Sequence, residues 1–391
     1  MRSIELFTGA GGLALGLERA GWRHDTLIER DVHSCSTIQM NQSGGHPLTA
    51  GWRLFHEDVQ NVDYSKLKKT VELVAGGPPC QPFSLGGKHR ANMDRRDMFP
   101  EAVRAIREVK PRAFLFENVK GLLRQSFATY FNYVFLQLSY PLVGRLKSED
   151  WESHLARLER VHTSGKDEGT SYRVVYRLLN AADYGIPQNR YRVFMVGFRS
   201  DLEKEWSFPK PTHSLDRLLW EQWVEGSYWD VHEVPQKRRP APAMRYKARI
   251  DRLATDHRLS APDGVRYETV RDAFVGLPDP RSKRHAFFNH EFRPGARAYP
   301  GHTGSSLDEP AKALKAGDHG VPGGENMVAL PDGSCRYFSV RESARLQTFP
   351  DDYRFSGSWT EAMRQIGNAV PVELARVVGQ SVLEQTLPRR K

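Results

Sequence analysis

Covalent chemistry needs a placed nucleophile, and the chain offers one at Cys80, in the stretch Gly76-Gly77-Pro78-Pro79-Cys80-Gln81-Pro82-Phe83-Ser84. The apolar run Leu73-Val74-Ala75 before it predicts the end of a buried strand, which the glycines and prolines stop abruptly. Prolines on both sides remove backbone donors and restrict the chain, so the thiol is placed rather than left to wander. A small, inert packing cysteine is the plainer reading of such a residue. The company Cys80 keeps argues otherwise: Phe7, Glu29, Asp58 and Glu117 also fall at the ends of apolar runs that read as strands. Any one of these acids alone reads equally as a helix cap or a solvated turn. Together they mark the carboxyl edge of a parallel sheet, where open α/β folds bind ligands.

The elements that must position these residues follow from spacing. Ser3 to Phe7 reads as a short strand, Thr8-Gly9-Ala10-Gly11-Gly12 as a tight turn, and Leu13 to Ala20 as a helix that Gly21 ends. A second strand, Thr26-Leu27-Ile28, reaches Glu29 about twenty residues beyond the glycines, the spacing of a nucleotide-binding β-α-β unit. Glycines there let backbone approach a ligand closely, and the acid can accept hydrogen bonds from ribose hydroxyls. Asp58 follows Leu54-Phe55-His56-Glu57, and Glu117 follows Ala113-Phe114-Leu115-Phe116. The fold class expected is α/β: a Rossmann-like domain with a mostly parallel sheet, plus a smaller irregular domain.

Between Cys80 and a helix expected over Glu101 to Val109, the segment from Leu85 to Asp97 carries glycines and cations, including Arg95 and Arg96. It suits a loop that closes over an anionic substrate, or an ordinary solvated one. The charged stretch from about 140 to 169 reads as a surface excursion with a helix near 151–161. Tyr172 to Leu179 alternates like a strand, and Gln188-Asn189-Arg190-Tyr191-Arg192 leads into the strand Val193-Phe194-Met195-Val196. Alternation puts Arg190 and Arg192 on one face, where two cations invite an acid or phosphate; a surface charge stripe is the alternative.

From about Pro209 to Tyr337 the sequence is rich in Pro, Gly, Trp and cations, with few convincing helices. Arg239, Arg245, Arg249, Arg281, Arg293 and Arg297 are among those cations, and Phe287, Phe288, Phe292, Tyr299 and His302 lie among cations and small residues. Such a mixture suits groove binding, with arginines on phosphates and base edges; a solubilised irregular domain is the alternative. A helix is expected over Ser339 to Pro350, a compact turn over Gln365 to Pro371, and a closing helix over Val372 to Leu383.

Composition narrows the class. Hydrophobic content of 39% and charged content of 27% fit a globular protein, and the net charge of +10 favours a polyanionic partner. The three cysteines, Cys35, Cys80 and Cys335, stand too far apart for a disulfide framework or a CxxC metal pair, which suits a reducing compartment. No signal peptide or membrane span is evident, so a cytoplasmic protein is expected. His302 and His319 lack a ligand-spaced cluster, and no metal is expected.

In series, Phe7-Thr8-Gly9-Ala10-Gly11-Gly12, Gly77 to Ser84, Glu117-Asn118-Val119, Gln188 to Arg192, Arg341 to Pro350 and Gln365 to Pro371 resemble the motifs of the cytosine-5 DNA methyltransferase family. The resemblance covers roughly the first two hundred residues and the last fifty. It implies a catalytic domain of 1–205 and 338–391 and a target-recognition domain of 206–337. It implies S-adenosyl-L-methionine as methyl donor and S-adenosyl-L-homocysteine as product. Cys80 would add to carbon 6 of cytosine, making carbon 5 enamine-like. Glu117 would hydrogen-bond ring nitrogen 3 and the amino group, while Arg190 and Arg192 take the family's paired-arginine positions, Arg192 on the base carbonyl. Phe7 would stack near adenine, and the backbone from Thr8 through Gly9, Ala10, Gly11 and Gly12 would wrap the methionine end. Glu29 with Arg30 would take the ribose, and Asp58 with Val59 the adenine amino group. Pro79 and Met98 would lie near the donor, and Asn368, Ala369 and Val370 would close its pocket. Ser84, Arg95 and Arg96 would touch duplex DNA, from which the target base must be rotated out.

The stretch near 140–169 is longer than a minimal member needs, and the sequence begins directly at the first motif. Both features resemble a bacterial modification enzyme, expected to act as a monomer beside cognate restriction or defence proteins. Three other readings stand beside it: a tRNA cytosine-5 methyltransferase, a catalytically silent DNA-binding module, and a cysteine hydrolase. The hydrolase would need a histidine partner, for which only His89 lies near Cys80. NAD chemistry fits less well, because the glycines depart from GxGxxG.

Overall fold

A computed structural model of the chain describes residues 1–67, 71–79, 97–165, 169–257, 260–282, 285–317 and 324–387. Cys80, Ser84, Arg95 and Arg96, and most of the expected loop around them, lie outside the described residues. The chain forms two compact units: Met1–Leu179 with Tyr191–Pro209 and Ala375–Lys391, and Asn180–Arg190 with Lys210–Leu374.

The first unit is built on strands β1 (Arg2–Leu6), β2 (Arg23–Glu29), β3 (Leu54–His56), β4 (Leu73–Gly76), β5 (Ala113–Val119) and β6 (Tyr172–Asn180). A two-residue strand, β7 (Gln188–Asn189), precedes β8 (Tyr191–Arg199). The sheet order is β3-β2-β1-β4-β5-β8-β6. The five strands from β3 to β5 run parallel, and β8 pairs antiparallel with β5. After β3 the chain crosses back to lay β4 on the other side of β1, so the order reverses there. Ligands bind at such a switch point, outside the carboxyl ends of the strands.

Register sharpens this. Leu6 stands beside Ile28 and Gly76; Ile28 beside Phe55; Gly76 beside Phe116. One step further along each strand, Phe7, Glu29, His56, Gly77 and Glu117 form a single row. Glu117 is not the end of β5, which continues to Val119. The row depends on β1 and β4 meeting closely at Gly76, where a Cβ would lie 2.5 Å from the Leu6 carbonyl oxygen.

Helices α1 (Gly12–Arg19), α2 (Val32–Ser43) and α3 (Phe99–Val109) follow the strands; Asp31 caps α2, and a proline occupies the first turn of α3. Helix α4 (Ala128–Ser139) adds Tyr130, Val134 and Leu138 to a core with Phe99, Ile106, Phe114 and Phe116. Helix α5 (Trp151–Ser164), in the long stretch after α4, packs Leu155 and Leu158 against Tyr133 and Leu136. His154 is buried there, bonded to the Tyr133 hydroxyl and the Val143 carbonyl at 2.8 Å each. The excursion therefore carries its own apolar cluster.

The second unit corrects the expectation of few helices. It holds α6 (Leu215–Trp220), α7 (Ser227–Val231), α8 (Lys247–Asp256) and α9 (Val270–Phe274); α6 and α7 share a core of Leu218, Tyr228, Trp229 and Tyr267, and α8 packs Ile250 and Leu253 on Leu219. Helix α10 (Val340–Leu346) starts at a Ser339–Glu342 capping box, and α11 (Trp359–Asn368) absorbs most of the expected compact turn. Gly367 is helical, and a Cβ there would strike the backbone of Lys315 and Ala316 at 2.5 Å. Helix α12 (Val372–Thr386) begins in this unit and ends in the first. Much of the unit's positive charge is also answered internally: Arg239 pairs with Asp230, Arg249 with Asp216, Arg281 with Asp279, and Arg245 with Glu309.

Gly76→Ala should lower stability by about 1–3 kcal/mol, since the neighbour that must move is backbone. Urea unfolding should show a lower midpoint with an unchanged slope.

Candidate active site

At the carboxyl edge of β1 and β2 the glycine turn and Glu29 are joined directly. Glu29 Oε2 accepts from Gly9 N–H at 2.6 Å, and Oε1 from the backbone of Arg30 and Asp31 at 2.8 and 2.7 Å. This fixes the carboxylate: Oε1 is fully used, while Oε2 keeps a lone pair for an incoming hydroxyl. Gly9 (φ 56) and Gly11 (φ 87) are left-handed, and Gly11 starts α1. Phe7 is also left-handed, at φ 57, a strained setting for a bulky residue of the kind that gathers at binding sites. Thr8 and Ala10 are buried beneath the turn.

Asp58 caps the short turn Val59–Asn61 and accepts from Arg30 at 2.8 Å. Burial works against its charge, but the Gln60 N–H and the Arg30 guanidinium prevail and hold its carboxyl below the usual range. Val59 is buried. Met98, expected near the donor, is buried in the core; its backbone N–H holds the Pro79 carbonyl at 3.0 Å.

That contact is one of two that pin the chain entering Cys80. The other comes from Asn118, whose Nδ2 donates to the Pro78 carbonyl at 2.9 Å. The sequence assigns Asn118 no role; its place beside Glu117 in the motif is the one signal for it. Next to it, Glu117 Oε1 pairs with Arg192 Nε at 2.8 Å, both side chains largely buried. Register accounts for the meeting: Glu117 stands opposite Phe194 and Arg192 opposite Val119, a diagonal pair on one face of β5 and β8. Glu117 Oε2 stands 3.4 Å from where a side chain at Gly77 would begin. The missing side chain keeps the space beside the carboxylate open.

The two arginines do not share a face, as alternation suggested. Arg190 belongs to the second unit, wholly buried, with its guanidinium on the carbonyls of Leu314, Gly367 and Ala369 at 3.0, 2.6 and 3.0 Å. The chain turns before Tyr191, where β8 begins, so the strand rule does not reach Arg190. Ala369 ends α11, directly after Asn368, and Val370 is buried.

Two further buried groups lie under the turn. Cys35 is no competing nucleophile: burial, with Glu29 and Asp31 nearby, pushes its thiol up to about 12. Glu5, on β1, is fully buried. Burial pushes its carboxyl well above the ordinary range; a backbone hydrogen bond from Ala14 opposes this, and the charge of Glu29 adds to it. Among the described residues, no group of three or more His, Cys, Asp or Glu is placed to hold a metal.

A doubly wound sheet with a glycine turn after its first strand and an anchored acid after its second makes a Rossmann-like α/β domain. More particularly, the chain belongs to the C-5 cytosine-specific DNA methylase family, whose model matches residues 1–140 and 143–384. It is an enzyme of the DNA (cytosine-5-)-methyltransferase class. Its relatives include the type II methyltransferases M.PspPI of Psychrobacter sp. and M.Eco47II of Escherichia coli, each 32% identical over 97% of this chain and 78% of theirs. M.NgoMIV of Neisseria gonorrhoeae is 30% identical over 98% and 97%. Solved structures that share the fold include a DNA modification methyltransferase encoded within an E. coli prophage and S. pombe Dnmt2. The first has TM-score 0.59 and 20% identity, covering 98% of this chain and 99% of that one. The second has TM-score 0.55 and 18% identity, covering 98% of both.

Replacing Asn118 by Ala should leave the Pro78 carbonyl unpaired, costing about 1–3 kcal/mol. Methyl transfer should fall at least about tenfold at temperatures where the variant stays folded, since small misplacements of a reacting group are costly. For Glu5, the folded state keeps a proton that the unfolded chain releases above the ordinary value of 4.5. Its contribution is thus complete in acid and lost as pH rises. Glu5→Gln should gain on the wild type in urea midpoint from about pH 5 to about pH 8, and an offset constant with pH would contradict this assignment.

Proposed function

We propose that this enzyme transfers a methyl group from S-adenosyl-L-methionine to carbon 5 of a cytosine rotated out of a specific duplex DNA sequence, through a transient bond to Cys80. The observation that carries this is the Glu117–Arg192 pair beside Gly77, with Asn118 and Met98 pinning the two prolines before Cys80.

The residues at the edge of β1 and β2 fit the donor. Left-handed glycines allow backbone to come close, the Glu29 carboxylate keeps acceptor capacity for ribose hydroxyls, and the Phe7 ring is only partly buried. When bound, S-adenosyl-L-methionine supplies the electrophilic methyl.

Carbon 5 of cytosine is too poor a nucleophile to take that methyl unaided. The Cys80 sulfur bonds to carbon 6, which pushes electron density onto carbon 5. Glu117, held by Arg192, hydrogen-bonds the ring nitrogen and amino group and so favours the electron-rich adduct. Arg192 also faces the base carbonyl. Once carbon 5 carries the methyl and S-adenosyl-L-homocysteine has departed, the carbon 5 proton passes to water, its bonding pair re-forms the carbon 5–carbon 6 double bond, and the Cys80–carbon 6 bond breaks to release the thiolate. Arg190, committed to carbonyls, positions the chain rather than touching the base. Ser84, Arg95 and Arg96 serve as phosphate contacts that offset the few kcal/mol needed to unstack the target.

Relatives named as type II methyltransferases support a modification role, paired with a nuclease or within another defence system against phage. No described helix is long and apolar enough to cross a membrane.

The test is chemical. Duplexes carrying 5-fluorocytosine at the methylated position, found by bisulfite mapping in an expressing host, should trap the wild type covalently at Cys80 in the presence of donor. Cys80→Ala should neither be trapped nor methylate. Methylation surviving in that variant would sink the proposal.

A further inference from the structure

We propose that the irregular segment from Glu291 to Gly301 reads the DNA word, with Arg297 contacting a guanine edge in the major groove. The inference deepens the DNA-modifying role proposed above and rests on it.

Elimination narrows the choice: Arg238, Arg252 and Arg297 are exposed and make no ion pair among the described residues, and of these Arg297 lies in sequence between two exposed rings, Phe292 and Tyr299. The second unit is rich in arginine, but most of its guanidiniums already serve the protein. Arg266 holds Asp272 and Arg336 holds Glu342, each through two contacts of 2.6–2.7 Å. Arg271 does the same to Asp308 at 2.7 and 3.1 Å. Arg239, Arg249 and Arg281 are likewise paired. A guanidinium whose fork is filled by a carboxylate has no bidentate face left for a base. Within Glu291 to Gly301, Arg293 lies over the Trp359 ring at 5.4 Å, while Arg297 is exposed and makes no ion pair among the described residues.

The segment is anchored on both sides. Before it, Asn289 makes two hydrogen bonds with the Phe355 backbone, and fully buried His290 bonds the Ser339 hydroxyl and the Pro278 carbonyl. The buried Arg341 guanidinium binds the Phe288, Pro350 and Tyr353 carbonyls. At its far end, Tyr299 inside the segment pairs with His302 beyond it as an antiparallel bridge with ring centroids 4.3 Å apart, and Gly324 N–H bonds His302 Nδ1. Between these anchors nearly every residue is exposed, including Phe292 and Tyr299 at 40% and 49%. Proteins seldom leave rings and unanswered cations together on a clamped, irregular loop without a partner for them. Duplex DNA supplies that partner: phosphates nearby, base edges for the guanidinium, thymine methyls for the rings. A guanine presents two acceptors, O6 and N7, in the spacing of the arginine fork.

The test compares wild type, Arg297→Ala and Arg297→Lys on duplexes in which each base pair of the mapped site is exchanged in turn. Both variants should lose about tenfold to a hundredfold in kcat/KM on the cognate duplex and cease to discriminate at one G·C position. Discrimination elsewhere, thermal melting and affinity for unrelated DNA should stay as in wild type. Arg281→Ala, whose cation is already paired, should behave as wild type. A loss equal on every duplex, with the salt dependence of binding reduced by about one phosphate contact, would assign Arg297 to the backbone and overturn the inference. Unchanged discrimination would overturn it as well. A wild-type enzyme inactive on every duplex would instead bring down the function beneath it.

Discussion

The closeness of β1 and β4 at Gly76 is the constraint on which the rest of the first unit depends. Because no side chain separates Gly76 from the Leu6 carbonyl, the turns leaving these two strands emerge side by side at the switch point. One turn carries the glycines that Glu29 ties down; the other carries the prolines that lead to Cys80. The glycine turn and the proline turn are thereby set next to each other by the pitch of a parallel sheet. On the other side of β4, the antiparallel return of β8 supplies Arg192 to Glu117.

How much of this was legible depended on the range of each interaction. Strand ends were readable where buried parallel strands are continuous apolar runs: Phe7, Glu29 and Glu117 each follow one, although β5 runs on past Glu117, whereas Asp58 follows a mixed, part-exposed stretch whose strand ends at His56. Arg190 was misread because alternation holds only inside a strand, and β8 begins one residue later. The short helices α6, α7 and α9, of five or six residues, pass in under two turns, too few for a periodic pattern to show. The neutralisation of the basic unit was equally hidden. Arg249 finds Asp216 across 33 residues and Arg245 finds Glu309 across 64, separations that no local pattern records.

The family's two arginines thus divide their labour. Arg192 meets a carboxylate in the catalytic unit, while Arg190 gathers three carbonyls from separate stretches of the second unit, including the end of α11. A guanidinium suits both tasks, since its five donors can satisfy one acid or several carbonyl oxygens. Two neighbours in one short motif therefore have different partners, a carboxylate for Arg192 and a set of carbonyls for Arg190.

The helical excursion after α4 has a consequence for the size of the enzyme. Leu155, Leu158 and Trp151 are the roof over Tyr133, Leu136 and Phe135, and His154 satisfies a tyrosine hydroxyl under that roof. Excising the stretch to make a shorter, minimal enzyme would uncover Tyr133 and Leu136 on α4 and leave Phe135 its edge contact with Tyr176. What looks in the sequence like a dispensable insertion is a lid for hydrophobic surface, and miniaturisation would have to repaint α4 with polar side chains first.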